Sequence, residues 1–511
     1  MKKRLIALIL IFIMTLNVFS VFAFAAEVHE SESSSENETE ENSETRMLQG
    51  HIALVMQGNT YSASDCAIFR NGLLNSDYDY TMVAAYGWDP STGEVLDDRV
   101  EESELLKCGW YDVAYYSGHG GWTTINSARY PQINYIPSNT SADYGNSDPI
   151  NVASAFGVDS DDWKTACTIS TDDRLRVLIL SACSQLDSSI VKYYARIMRA
   201  SGIRAIAGYH STAPGTGTDD TIARTFLEKA SEGESVWSSW KQANNYGYNW
   251  AVLVYEENYN QYYRLPGFPG NTYTDPSSTA TIYRYADFLG TDHMEASPAS
   301  IEEELSSLIY SLPLTITAID SRARTSTISW SRETVCSDTS VPDSYSEALD
   351  HLSTTYGEDF SSKVMVEHYV SRQEIDEDLG ALSETETILE RTYNFHDTYN
   401  GVKIAGSFIG TSIDSDGVNS VNDKRKTVTS VGETIAELTT NSARTVTVIS
   451  ENDAIQIVQG ADPCCAESEI YAISLAYAPL EDGIHVLCYE ITSSCGFYYV
   501  NVQTGEVVNW V

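Results

Sequence analysis

Two strand endings in the first half of the chain carry residues able to do covalent chemistry. Val113-Ala114-Tyr115-Tyr116-Ser117-Gly118-His119-Gly120-Gly121 is an apolar run opening into a histidine set among glycines. Val177-Leu178-Ile179-Leu180-Ser181-Ala182-Cys183-Ser184 is an apolar run ending in cysteine. A thiolate is a nucleophile, and an adjacent imidazole lowers the thiol pKa and later protonates a leaving amine. Glycine after the histidine lets backbone approach a substrate closely, which makes the N–H groups of Gly120 and Cys183 candidate oxyanion donors. Such a pair needs no metal or other cofactor. Each residue also has a plainer reading, the cysteine as a small core side chain and the histidine as a structural one. It is their joint occurrence at two similar strand ends that points to a site.

The elements that must position them alternate. Short apolar strands are expected at 52–57, 80–86, 113–117, 176–181, 204–207 and 251–255, and helical spacing is expected at 63–74, 188–200, 219–230 and 235–244. This order predicts an α/β fold, a mainly parallel sheet covered by helices on both faces. In such a sheet the crevice lies outside the carboxyl ends of the strands, so His119 and Cys183 meet there if their strands are neighbours. His210, at the next strand end, faces the same crevice as a rim residue. Asp219 and Asp220 open the following helix, either as a negative wall for a basic side chain or as caps of that helix. The segment 122–173, rich in Asn, Ser, Tyr and Asp, is either a substrate-side loop or a solvated insertion.

An apolar strand followed by His-Gly, paired with an apolar strand followed by Ala-Cys, resembles the clan CD cysteine peptidases, the caspase and clostripain relatives. The order Leu180-Ser181-Ala182-Cys183, then Ser201-Gly202-Ile203-Arg204-Ala205-Ile206-Ala207-Gly208, then Thr225-Phe226-Leu227 and Gly233, is similar to the CHAT-type branch. Where CHAT domains often carry Trp, this chain has Tyr209-His210-Ser211. The resemblance covers about residues 49–262. It implies a caspase–haemoglobinase fold and endopeptidase activity, with His119 as acid/base and Cys183 as nucleophile. An alternative within the same fold is a surface or binding protein that has lost turnover.

Beyond a Pro, Gly, Ser and Thr-rich stretch assigned to a linker at 266–297, the pattern changes to α+β with hairpins over 298–511. Tyr399-Asn400-Gly401-Val402-Lys403-Ile404-Ala405-Gly406 with Asp416-Gly417-Val418 resembles the fungalysin/thermolysin propeptide motif. The run 497–507, Phe-Tyr-Tyr-Val-Asn-Val-Gln-Thr-Gly-Glu-Val, resembles the closing hairpin of a PepSY domain. These resemblances imply a propeptide-like region that docks on the first domain, 49–265, as an intramolecular partner.

Residues 1–26 read as a secretory signal peptide. Lys2-Lys3-Arg4 precedes an apolar run, and cleavage is expected after Ala25 or Ala26, so the mature protein is exported without a stable membrane anchor. The acidic Ser, Glu and Asn tract at 27–48 reads as a disordered linker. A net charge of −41 excludes nucleic acid as a partner, and either favours basic peptides as partners or only keeps an exported protein soluble. Nine cysteines are too few for a disulfide scaffold and odd in number, and no zinc-type Cys/His spacing or HExxH run occurs. Cys183 must stay reduced to act. Cys488 and Cys495, flanking an expected hairpin, are candidates for facing one another.

Overall fold

Apolar runs such as Val113–Ser117 and Val177–Ser181 can be buried only if both faces of the sheet are covered, and that requirement organises the first half of the molecule. The computed structural model describes residues 50–58, 62–74, 80–86, 100–134, 149–169, 173–214, 218–244, 249–256, 263–269, 280–290, 309–320, 328–329, 340–376, 381–434, 436–438, 448–461, 470–481, 483–493 and 496–508. The expected signal peptide and acidic tract lie outside these. Among the described residues no helix is long and apolar enough to cross a membrane.

The first strands are β1 (His51–Gln57), β2 (Tyr80–Tyr86), β3 (Val113–Ser117), β4 (Gly120–Ile125), β5 (Ala128–Ile133), β6 (Ile150–Asn151), β7 (Val177–Ser181), β8 (Ala205–Tyr209), β9 (Trp250–Glu256) and β10 (Thr281–Gly290). β2, β1, β3, β7 and β8 lie side by side and parallel, and β9 closes the series antiparallel to β8. The chain is therefore α/β with a large mixed sheet. One face packs Ala114, Tyr116, Leu178 and Leu180 against Tyr194, Ile197 and Met198 of helix Val191–Ser201. On the other face Tyr115 and Ile179 meet Phe69, Phe226 and Trp240, which come from helices Ala63–Leu74, Thr218–Ser231 and Val236–Ala243. The helix Val191–Ser201 stops because Gly202 turns left-handed, with φ of 74°.

At the amino ends of these strands Asp112 accepts the Ile52 N–H at 2.9 Å and the Arg174 guanidinium at 2.7 Å. Burial would raise its pKa, but the hydrogen bonds from His51 and Ile52 and the Arg174 charge outweigh that and hold it below the usual carboxylate range. These charges staple the end of the sheet opposite His119 and Cys183.

The expected linker at 266–297 contains a ten-residue strand, β10. Its four consecutive residues Arg284, Tyr285, Ala286 and Asp287 are all buried. One edge of β10 pairs with β9, and the other pairs with a strand of the C-terminal region. That region supplies β11 (Thr315–Asp320), β12 (Ile328–Ser329), β13 (Val364–Asp376), β14 (Ala381–Tyr399), β15 (Val402–Asp414), β16 (Gly417–Asp423), β17 (Lys426–Val431), β18 (Ile470–Glu481), β19 (Ile484–Ser493), β20 (Gly496–Asn501) and β21 (Val507–Val508). It also carries helices at Tyr345–Tyr356 and Glu451–Ala461. Two hairpin turns fall on the motif residues. Asn400 and Gly401 both have positive φ, 50° and 80°, the geometry of a tight hairpin between β14 and β15. Ser415 and Asp416 join β15 to β16.

β10 pairs with β13 from Tyr283 opposite Glu374 to Gly290 opposite Glu367. A protein truncated after residue 297 loses this partner and exposes an unpaired edge. The expected outcome is self-association on size-exclusion chromatography and a melting midpoint lower by roughly 5 °C or more, consistent with the loss of more than 1 kcal/mol.

Candidate active site

β3 and β7 are adjacent and parallel, with Ser117 opposite Ser181, and the Gly118 N–H reaches the Ser181 carbonyl at 3.2 Å. Two residues beyond this matched pair stand His119 on one strand exit and Cys183 on the other, both half-buried. The condition read from the sequence, that the two strands be neighbours, is met.

The two exits are crowded. A Cβ on Gly120 would lie 2.5 Å from the Cys183 carbonyl oxygen and 2.8 Å from the Ala182 Cβ, so this position admits only glycine without displacing backbone. Gln185, fully buried, occupies the remaining space. Its Nε2 donates to the carbonyls of Cys183 at 3.0 Å, Gln132 at 3.0 Å and Gly121 at 3.3 Å, while its Oε1 accepts from the Tyr194 hydroxyl at 2.5 Å. On the histidine side the Tyr116 hydroxyl lies 3.1 Å from the His119 carbonyl and accepts the Asn134 N–H. The segment 122–173 begins as the hairpin of β4 and β5, turning at Asn126 and Ser127, and Gln185 ties its return strand to the cysteine turn.

The cysteine turn is tight. The Ala182 N–H bonds back to the Leu180 carbonyl at 2.8 Å, and Ser184 adopts a left-handed φ of 57° that non-glycine residues rarely occupy. The Ser184 N–H donates to the Ser211 carbonyl at 2.6 Å, and the Ala213 N–H donates to Cys183 Sγ at 3.3 Å. A donor aimed at sulfur favours the thiolate. Elsewhere burial raises the thiol pKa of Cys66, Cys108 and Cys167, and pushes Cys488 up to about 12. Cys488 stands opposite Asn501 on β20 and is a free thiol, whereas Cys495 lies outside the described residues.

The remaining sequence candidates are placed as follows. His210, expected at the rim, is buried, with Nε2 2.7 Å from the Asp287 carbonyl and its ring 4.7 Å from that of Phe288. The cause is β10, which covers that side of β8's exit through β9. Asp219 and Asp220 lie in the first turn of the helix Thr218–Ser231. Asp219 accepts the Asp220 N–H at 2.8 Å, and Asp220 accepts the Ser64 hydroxyl at 2.7 Å. Asp65, unmarked in the sequence reading, is buried beside Asp219 and accepts the Tyr115 hydroxyl at 2.6 Å. Burial first, and then the Asp219 charge, raise its pKa to about 7. Its only sequence signal is an acid in a helix's first turn after Ser62 and Ser64. Gln185 had none, since its three carbonyl partners come from β4, β5 and the turn after β7.

No family model matches the chain, and no curated protein matches it. Among solved structures it is similar to the Bacillus megaterium YpeB C-terminal domain, at 15% identity and a TM-score of 0.22, over 41% of this chain and 95% of that one.

Gln185→Glu replaces two N–H donors by an acceptor facing three carbonyls. The expected outcome is a loss of at least about tenfold in the alkylation rate of Cys183, with a lower melting midpoint, because buried carbonyls left without donors cost about 1–3 kcal/mol each. Asp65 gives a pH signature of its own. Its folded pKa of about 7 lies above its ordinary 3.8, so the folded state holds a proton that the unfolded state releases between them. Its contribution to stability is full below about pH 4 and is lost as pH rises through 7. Asp65→Asn cannot ionise and still accepts from Tyr115, so its urea midpoint should fall less between pH 5 and pH 8 than that of the unaltered protein.

Proposed function

We propose that this chain is an exported cysteine endopeptidase of the caspase type, with Cys183 as nucleophile and His119 as acid/base. The observation that carries this reading is the matched exit of β3 and β7, which sets the two residues at equivalent positions on adjacent parallel strands. The resemblance of both motifs to clan CD peptidases and the signal-like N-terminus support it.

In this mechanism the Cys183 thiolate attacks the scissile carbonyl carbon, and the oxygen takes up the displaced electron pair. The N–H groups of Gly120 and Cys183 receive that oxyanion. The C–N bond breaks as His119 protonates the leaving amine, leaving a thioester on Cys183. Water, deprotonated by His119, then attacks the thioester and releases the carboxylate and the free thiol. The net charge of −41, with Asp219 and Asp220 in the first turn of the helix Thr218–Ser231, favours peptides with basic side chains.

The test is labelling of the mature protein with a peptidyl electrophile bearing a basic side chain, followed by mapping of the modified cysteine. Label on Cys183, loss of peptide hydrolysis in Cys183→Ala, and a fall of several orders of magnitude in His119→Ala are expected. Undiminished hydrolysis by Cys183→Ala would sink the reading. A folded protein with no labelling at Cys183 would leave the non-catalytic binding protein in its place.

A further inference from the structure

We infer that the C-terminal region completes the thiol site rather than obstructing it, by holding from behind a strap, residues 210–213, whose inner side grips the Cys183 turn. This rests on the reading of Cys183 as the nucleophile.

The strap leaves the end of β8. On its inner side the Ser211 carbonyl accepts the Ser184 N–H at 2.6 Å, and the Ala213 N–H points at Cys183 Sγ at 3.3 Å. Its outer side is held by residues from beyond position 280. His210 Nε2 lies 2.7 Å from the Asp287 carbonyl, and a carbonyl only accepts, so this contact puts the ring proton on Nε2. The Asp287 carboxylate is in turn fixed by His368 Nδ1 of β13 at 3.0 Å. Two residues along the strap, Thr212 Oγ1 lies 3.4 Å from the Tyr498 hydroxyl of β20, a contact between buried side chains 286 positions apart. Asn249 Nδ2 reaches the Thr212 carbonyl at 3.4 Å.

Inner and outer contacts alternate along four consecutive residues, so the outer ones set where the inner ones point. A hydrogen bond to sulfur falls off steeply with distance and angle, and a shift of the strap by a few tenths of an ångström weakens the Ala213 donor. A removable inhibitory segment would be expected to raise reactivity when its contacts are cut. A site-completing segment lowers it, and the sign separates the two.

The experiment measures the rate of Cys183 alkylation by iodoacetamide against pH in the full mature chain, with the modified residue confirmed by mass spectrometry and the melting midpoint recorded for each variant. Tyr498→Phe and Thr212→Val each remove one side of the outer contact. Each should slow alkylation at neutral pH by about three- to tenfold, as expected for one modest hydrogen bond, and move the pH–rate profile to higher pH. The double variant should be no slower than the slower single one. Thr212→Ser keeps the hydroxyl and should restore the unaltered profile. Faster alkylation in either variant, or unchanged profiles in both folded variants, overturns the inference. A Cys183 in the unaltered protein that reacts no faster than a free cysteine sinks the dyad reading instead, and the inference with it.

Discussion

The close approach of two loops after adjacent parallel strands governs the rest of the first half of the molecule. With Ser117 opposite Ser181, the chain leaving β3 and the chain leaving β7 must diverge within three residues or collide. Gly120 answers the collision by having no side chain where the Cys183 carbonyl already lies. Bringing carbonyls of Cys183, Gly121 and Gln132 together away from water then demands a donor, and Gln185 supplies it. The hairpin of β4 and β5, the left-handed Ser184 and the tie to Tyr194 all follow from closing that space.

Much of this was legible in the sequence where local pattern and tertiary demand agree. The strands 52–57, 80–86 and 113–117 and the helix 63–74 fall where periodicity puts them, because their apolar faces meet covered faces of the sheet. β10 was read as linker because it follows a Pro, Gly, Ser and Thr-rich run and carries Arg284 and Asp287, polar residues that only long-range partners can satisfy. Within the α+β pattern expected over 298–511, local spacing did not single out the helix Glu451–Ala461. The burial of His210 depends on the same strand, which local pattern did not reveal. Asp65 and Gln185 show the wider limit. Their roles exist only through residues tens of positions away.

Basic residues are scarce in this acidic chain, 31 against 72 acids, and several are spent inside. Lys403 pairs with Glu490 at 2.6 Å between β15 and β19, and Arg391 pairs with Glu367 between β14 and β13. Lys241, on a helix of the first half, pairs with Glu390 of β14. Removing one partner of such a buried pair strands a charge at a cost of about 3–5 kcal/mol, so these pairs fix register and join the two halves.

The strand β10 lies between β9 and β13, and the Tyr498 that braces the strap lies near the chain's end. Contacts of such sequence separation form late, because the intervening chain must first be ordered. A polypeptide made amino end first therefore holds the Cys183 turn well before β10, β13 and β20, the strands that complete its surroundings. Packing around this turn waits on strands made long after it, and a protein cut before β20 would lack the contact of Thr212 with Tyr498.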